Sequence, residues 1–424
     1  MPCGLHEKSR LRGRRGSFLP EKLSNGVVML FIALDLLCWI EVRVSGLSKN
    51  TGRVEFANTL RGLAALSVVF AHYFGVFWTS REAVAELTLA PILPYDIFAV
   101  PIYVSSFHFE PIVSWGAFGV ALFFIISGFV IPFSLQKTTR LEFLGNRVFR
   151  IIPTYIVGFT FTMLAIIISK IYFNSEWPFT TQEILIHYIP GVRDILGSRN
   201  IDGIIWTLEI EMKFYLVCMV ATPLFVRRSK LVFICPAFVF AFGVFASNNM
   251  ERFNNYPSIH QAISSLNFAS AFIVYMFAGT AIFYTHVGLI KERMGALTVL
   301  LLIAASSLLW WLNPSGLPLV IAPSFGLAVI VFYAAWCFPE LFKRRTFTSF
   351  LANISYPLYV IHGVAGYVLL RIALDQGWPA WFSLVAVTAL AMAISYAIHL
   401  YVEAPTQRIG KRLGHKSKLR QATA

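Results

Sequence analysis

The sequence runs to 424 residues, 57% of them hydrophobic and 13% charged, against roughly a quarter charged in an ordinary soluble domain. That balance excludes a soluble globular protein, and apolar runs longer than about 18 residues exclude an outer-membrane barrel, whose strands are about 10 residues long and alternate in polarity. The net charge is +14, but the cations sit in short loops between apolar runs, a membrane-topology pattern that argues against a nucleic-acid surface.

Residues 1–58 form a basic extension with a short apolar stretch, Val27–Ile40, interrupted by Asp35. If this stretch spanned the bilayer, Lys8, Arg10, Arg12, Arg14, Arg15 and Lys22 would be placed outside, against the basic-inside preference. It reads first as an interfacial or loosely packed helix. An eleventh span and an over-extended start, with Met29 as the true one, are the alternatives; no convincing cleavage site follows it.

From there the sequence predicts an all-α polytopic membrane protein with about ten transmembrane helices and both termini cytoplasmic. The predicted spans are 59–79, 113–136, 151–173, 206–226, 230–249, 263–285, 294–312, 317–338, 347–371 and 379–402. They make up a membrane domain over 59–405, followed by a basic cytoplasmic tail, 406–424. The loops set the orientation. Alternate ones carry clustered cations, such as Arg147 with Arg150, or Arg227 with Arg228 and Lys230, whereas those between hold Glu82, Glu86, Asp96, Glu110, Glu176 and Glu183. The basic set belongs in the cytoplasm. The five cysteines, at positions 3, 38, 218, 235 and 337, include no C-x-x-C pair, so no disulfide framework and no metal site are expected.

Polar residues inside the apolar spans are candidate functional groups, because burying them in lipid is costly. The first span holds Arg61 and His72, eleven positions apart. That is almost three whole helical turns, so the two share a face about 16 Å apart along the axis. An imidazole there can exchange a proton near neutral pH; a histidine merely bonded to a neighbouring helix is the plainer reading. The second span carries Ser127 and Gly128, a polar notch that alone suits helix packing as well as a ligand. At the mouth of the third, Arg147 and Arg150 share a face and suit phosphate oxygens, unless they only anchor the helix at the interface. The fourth opens Trp206-Thr-Leu-Glu209-Ile-Glu211-Met-Lys213, where Glu211 could act as a base, hold a sugar hydroxyl or orient the histidine, or simply sit in the interface. The ninth contains Asn353-Ile-Ser355-Tyr356-Pro357-Leu-Tyr359-Val-Ile-His362, and the tenth ends in Tyr401-Val-Glu403-Ala-Pro405. His399 lies in the tenth span with no motif around it.

Taken in order, "LRGLAALSVVFAHY", "FGVALFFIISGF", "RVFRIIP", "WTLEIEMKFY" and "ISYPLYVIH" resemble membrane acyltransferase family 3, over about residues 55–410. Its members are bacterial O-acyltransferases that modify surface polysaccharides, Nod factors, peptidoglycan and some antibiotics. The resemblance implies an inner-membrane enzyme with acyl-CoA, acetyl-CoA foremost, as cytoplasmic donor and a carbohydrate or glycolipid hydroxyl as acceptor. It implies His72 and Glu211 as catalytic residues, and Arg61, Arg147, Arg150 and Ser127 as donor-binding ones. His72 is either a general base or a transient acyl carrier. Two departures stand out: Glu209 replaces a small residue, and the family's frequent extra periplasmic domain is not expected after the last span. The lipid bilayer is the expected partner, nucleic acid is not, and a homo-oligomer stays open. A transporter is the rival reading, since buried polar residues in ten spans suit it too, although no repeat symmetry between halves is visible. A haem or metal protein is a weaker rival, because His72, His362 and His399 lie on no shared helix at ligand spacing.

Overall fold

The computed structural model describes residues 55–107, 113–313, 321–343 and 345–422, with side chains to 414. The apolar Val27–Ile40 stretch, Cys3, Cys38, Glu110 and Arg344 lie outside the described residues. Among those described, every regular element is helical. The principal helices are α1 (Glu55–Ala71), α2 (Arg81–Thr88), α3 (Trp115–Leu135), α4 (Arg140–Phe173), α5 (Thr181–His187), α6 (Ile205–Val220), α7 (Ile234–Asn249), α8 (Pro257–His286), α9 (Glu292–Leu312), α10 (Ile321–Cys337), α11 (Thr346–Ile361), α12 (Val364–Asp375), α13 (Ala380–Ile398) and α14 (Ala404–Ala422).

All ten predicted spans fall on helices, but seven helices among the described residues are long and apolar enough to cross a membrane, or eight if a bent pair counts as one. Three predicted spans explain the shortfall. The pair α11 and α12 bends by 75° at His362–Gly363. Helix α6 has 16 residues and carries Glu209, Glu211 and Lys213; at 1.5 Å per residue it reaches about 24 Å, short of a hydrocarbon core of about 30 Å. Helix α10 is described over 17 residues only, beginning at the first described residue after 313. Hydropathy alone counts the bent and charged segments as full spans.

Helix α8 is the pillar of the bundle, its most apolar window 89% buried, packed against α3, α6, α7 and α9. Its closest approach is to α3. A Cβ on Gly128 would lie 1.8 Å from the carbonyl oxygen of Met276, and one on Gly279 would lie 2.2 Å from that of Ile125. Only glycine lets the two backbones meet there, and the hydroxyl of Thr280 donates to the Gly128 carbonyl at 3.0 Å across the seam. Helix α1 lies against α3 and α11, so residues of α1 face both the second span and the bent pair.

Helix α4 begins with a capping box. Thr139 accepts from the Glu142 N–H, and Glu142 accepts from that of Thr139. Its 34 residues reach about 51 Å, so the helix projects well past a bilayer core and presents Arg147 and Arg150 on its first three turns. At its other end α1 widens into one π-helical turn, His72–Val76. The indole N–H of Trp78 donates to the Tyr73 carbonyl in that turn at 3.1 Å. Arg81 then closes the loop above it. Its guanidinium is buried and donates to the carbonyls of Trp78, Leu93, Pro94 and Phe98 at 3.1, 3.1, 2.9 and 2.6 Å, satisfying the charge with dipoles as a buried cation requires.

Candidate active site

Helices α1, α3, α4, α6 and α11 enclose a cavity of about 990 Å³, counting its open mouth. Arg61, Arg147, Arg150, Ser127, Glu211 and Tyr215 supply its polar wall, and Val120, Phe123, Phe124, Ile205, Leu208 and Tyr359 its less polar one. Glu211 is held from two sides. Its Oε1 accepts from Ser127 Oγ at 2.7 Å and from the Tyr215 hydroxyl at 2.5 Å. The notch on α3 therefore has two functions: Gly128 seats α8, and Ser127, one residue before it, reaches across to α6. The Arg147 guanidinium lies over the rings of Phe143 and Tyr215, at 5.3 and 5.4 Å, and its Nε is buried with no hydrogen-bond partner. Arg61 lies within electrostatic reach of Arg150, Glu403 and Glu211. Three cations against the one carboxylate that lines the cavity leave this wall positive. An orphaned guanidinium N–H on it is a donor that an anionic group would satisfy.

His72 is not part of that wall. It sits three turns along α1 from Arg61, beside the bend between α11 and α12. Its Nδ1 is 2.6 Å from the Tyr367 hydroxyl, and its ring stacks on that of Tyr367 with centroids 5.6 Å apart. The His362 ring lies 4.7 Å away, edge to face. His362 in turn neighbours Tyr359, at 5.6 Å, and Tyr359 lines the cavity and pairs its hydroxyl with that of Thr207 at 2.6 Å. The Tyr73 hydroxyl donates to the His362 carbonyl at 2.9 Å, tying the widened turn of α1 to the bend.

The sequence-predicted residues thus divide. Arg61, Arg147, Arg150, Ser127 and Glu211 meet in one cavity, and His72 stands beyond it. Glu211 is bonded to Ser127 and Tyr215, so of the roles open to it, orienting His72 is the one the geometry does not support. Three features escaped the sequence. His362 was seen in its motif but not as a neighbour of His72, which lies 290 positions away. Tyr367 lies outside every motif. His399, which no motif surrounds, is bonded through Nδ1 to Glu403 at 2.8 Å, and Glu403 is near Arg61. Among the described residues, no three His, Cys, Asp or Glu side chains converge as metal ligands would.

Glu209 and Lys213, near Glu211 on α6, serve the fold. Glu209 accepts from Nε and Nη2 of buried Arg193, at 3.0 and 2.6 Å, and Lys213 pairs with Asp194 at 2.5 Å. Asp194 Oδ2 also accepts from Ser265 on α8. The start of α6 is held as firmly. Asp202 Oδ1 caps it by accepting from the N–H groups of Ile204 and Ile205, both at 3.0 Å. Its Oδ2 accepts from Tyr155, whose hydroxyl meets His187 Nδ1 at 2.9 Å. Burial pushes the pKa of His187 below its ordinary value, and the neutral ring accepts from the Ile201 N–H through Nε2. Together these contacts fix the height and rotation of Glu211. Removing one partner of the buried pair strands the other charge, at a cost of about 3–5 kcal/mol. Arg193→Ala should therefore lower the thermal unfolding midpoint in detergent clearly, and an unchanged midpoint would show that the clamp adds nothing to stability.

A family model described as an acyltransferase domain matches residues 54–400. The chain is also similar to a protein named Nodulation protein 10 from Rhizobium leguminosarum bv. viciae, 22% identical over 317 residues that cover 69% of this chain and 82% of that one. No solved structure matches it significantly.

Proposed function

The chain belongs to membrane acyltransferase family 3, a multi-pass membrane family, and from that premise we propose that it moves an acyl group, acetyl foremost, from cytoplasmic acyl-CoA to a hydroxyl of a carbohydrate or other cell-envelope acceptor across a bacterial inner membrane. The observation that carries this reading is the single cavity walled by Arg61, Arg147 and Arg150. Guanidinium groups match phosphate oxygens in charge and fork geometry, and a CoA donor presents several phosphates. The less polar wall of the same cavity suits the pantetheine arm and a short acyl chain. The cytoplasmic side that the basic-loop pattern predicts for Arg147 and Arg150 agrees with where acyl-CoA is found.

His72 then stands where the acyl end of the donor meets an acceptor arriving from the opposite side. As a base it removes the hydroxyl proton while the oxygen attacks the thioester carbon; as a nucleophile it would carry the acyl group first. Either role uses one open ring nitrogen, the other being engaged by Tyr367; we take the base role. Glu211 keeps the arginine wall from being purely cationic and orients Ser127 and Tyr215 toward the donor. The test is mass spectrometry of envelope glycans and glycolipids from cells with the gene deleted and then restored. One acyl mass, an acetyl, should disappear from one glycan class and return on complementation. Unchanged glycans and glycolipids would reject a carbohydrate acceptor.

A further inference from the structure

His362 is fully buried at the bend between α11 and α12. Its Nδ1 lies 3.0 Å from the Leu358 carbonyl oxygen and 2.8 Å from that of Tyr359. Carbonyl oxygens only accept, so Nδ1 carries the hydrogen and Nε2 carries the lone pair. That Nε2 has no hydrogen-bond partner. Leaving a buried acceptor unpaired costs about 1–3 kcal/mol, and an orphan of this kind needs an explanation. Its neighbours supply one: His72 on one side and Tyr359, a cavity-lining residue, on the other.

Acyl transfer from a thioester involves two proton events in different places. The acceptor hydroxyl loses a proton, and the departing sulfur gains one. His72 is partly exposed and able to meet an acceptor, whereas His362 is fully buried and packs against Tyr359, which lines the cavity. We propose that His362 is a second catalytic imidazole, whose Nε2 receives the proton that His72 takes from the acceptor hydroxyl and delivers it to the departing CoA sulfur. The proposal rests on the acyl-CoA reading above. As the acceptor oxygen bonds to the thioester carbon, its proton passes to His72. The tetrahedral intermediate collapses, the carbon–sulfur bond breaks, and its electron pair stays on sulfur. The proton moves from His72 to His362 Nε2 and on to sulfur. The products are the ester, CoA thiol and two neutral imidazoles. Two imidazolium rings 4.7 Å apart would repel each other, so the pair holds one extra proton at a time.

The experiment compares acetyl-CoA with its selenoester analogue. A selenolate is a weaker base than a thiolate and leaves without being protonated. Purified protein is reconstituted in vesicles, a total glycan and glycolipid extract of the source cells supplies the acceptor, and release of CoA or its selenium analogue is followed. His362→Asn keeps an amide nitrogen near the Nδ1 position and so the bond to the backbone, but removes Nε2. With acetyl-CoA its rate should fall by about 10²–10⁴-fold, the range for general acid–base groups. With the selenoester the fall should be smaller by about tenfold or more, whereas His72→Gln should lose the same on both donors. A wild-type rate for His362→Asn with acetyl-CoA overturns the proposal, and so does an equal loss on both donors. Acetyl-CoA binding is measured by calorimetry on the same samples, with His362→Gln as the second variant. If both variants lose binding, His362 serves the fold or the donor site and the proposal also falls. A wild-type protein that neither binds nor turns over acetyl-CoA defeats the donor reading itself, a result distinct from any of these.

Discussion

Purified His72→Gln protein should insert, fold and bind acetyl-CoA as the wild type does, yet transfer the acyl group about 10²–10⁴-fold more slowly. Insertion should survive because glutamine is neutral and close in size, and the His72 side chain lies beyond the cavity wall that carries the arginines. Glutamine can keep a hydrogen bond to Tyr367, which His72 makes at 2.6 Å, but it cannot take up a proton. With Nδ1 engaged by the Tyr367 hydroxyl, Nε2 is the nitrogen open to an acceptor, and a base role requires the tautomer in which Nδ1 carries the hydrogen and Nε2 the lone pair. Tyr367→Phe removes the partner that selects this arrangement, so its rate should fall by less than that of His72→Gln. The assay is labelled acetyl-CoA turned over by protein in vesicles. A wild-type rate in His72→Gln would exclude both the base and the carrier role.

The second large effect belongs to the arginine pair. In Arg147→Ala, Arg150→Ala protein the Kd for acetyl-CoA should rise by about 10²-fold or more, since a hydrogen bond to a charged group contributes about 1.5–3 kcal/mol and two are lost. Arg150→Lys keeps the charge but not the fork, so it should fall between the double variant and wild type. The pattern separates these residues from His72. Loss of the arginines raises KM and spares kcat at saturating donor, whereas loss of His72 lowers kcat at unchanged donor affinity. Calorimetric binding of acetyl-CoA is the measurement. If the double variant binds as tightly as wild type, the pair only anchors α4 at the interface.

Much of this site was legible before the fold, for reasons that differ residue by residue. The spacing of Arg61 and His72 is a property of one helix, and helical periodicity reports it directly. Arg147 and Arg150 likewise share a face by being three apart. The meeting of Ser127 with Glu211 across two helices is another matter, because nothing local in either segment encodes it. Glu209 and Glu211 stand two apart at the start of one helix, and the family resemblance gives a role only to the second. What the first does appears only in the fold, where Arg193, in the loop before that helix, claims it. His362 shows the same limit. Its motif was readable, but its place beside His72 follows from a 75° bend that hydropathy counted as continuous span. That averaging also bears on the span count: a window over apolar residues does not register where a helix stops, and α6 and the bent pair stop early.

The widened turn at His72–Val76 bears on how this chain can change in length over generations. A π-helical turn holds one residue more than the α-turn it replaces. The extra residue is taken up within that turn, so deleting one there would restore an ordinary helix and leave Phe77, Trp78 and the buried Arg81 near the carbonyls and rings they now meet. Deleting a residue between Arg61 and His72 has no such turn to absorb it; it would rotate the imidazole by about 100° relative to the arginine and carry it off the shared face. The first span therefore tolerates a one-residue change in the widened turn and none between Arg61 and His72. Longer changes belong in segments such as 99–114, between Phe98, which Arg81 holds through its carbonyl, and Trp115, where α3 begins. Related chains should differ in length there, while the stretch from Arg61 to His72 keeps a constant count.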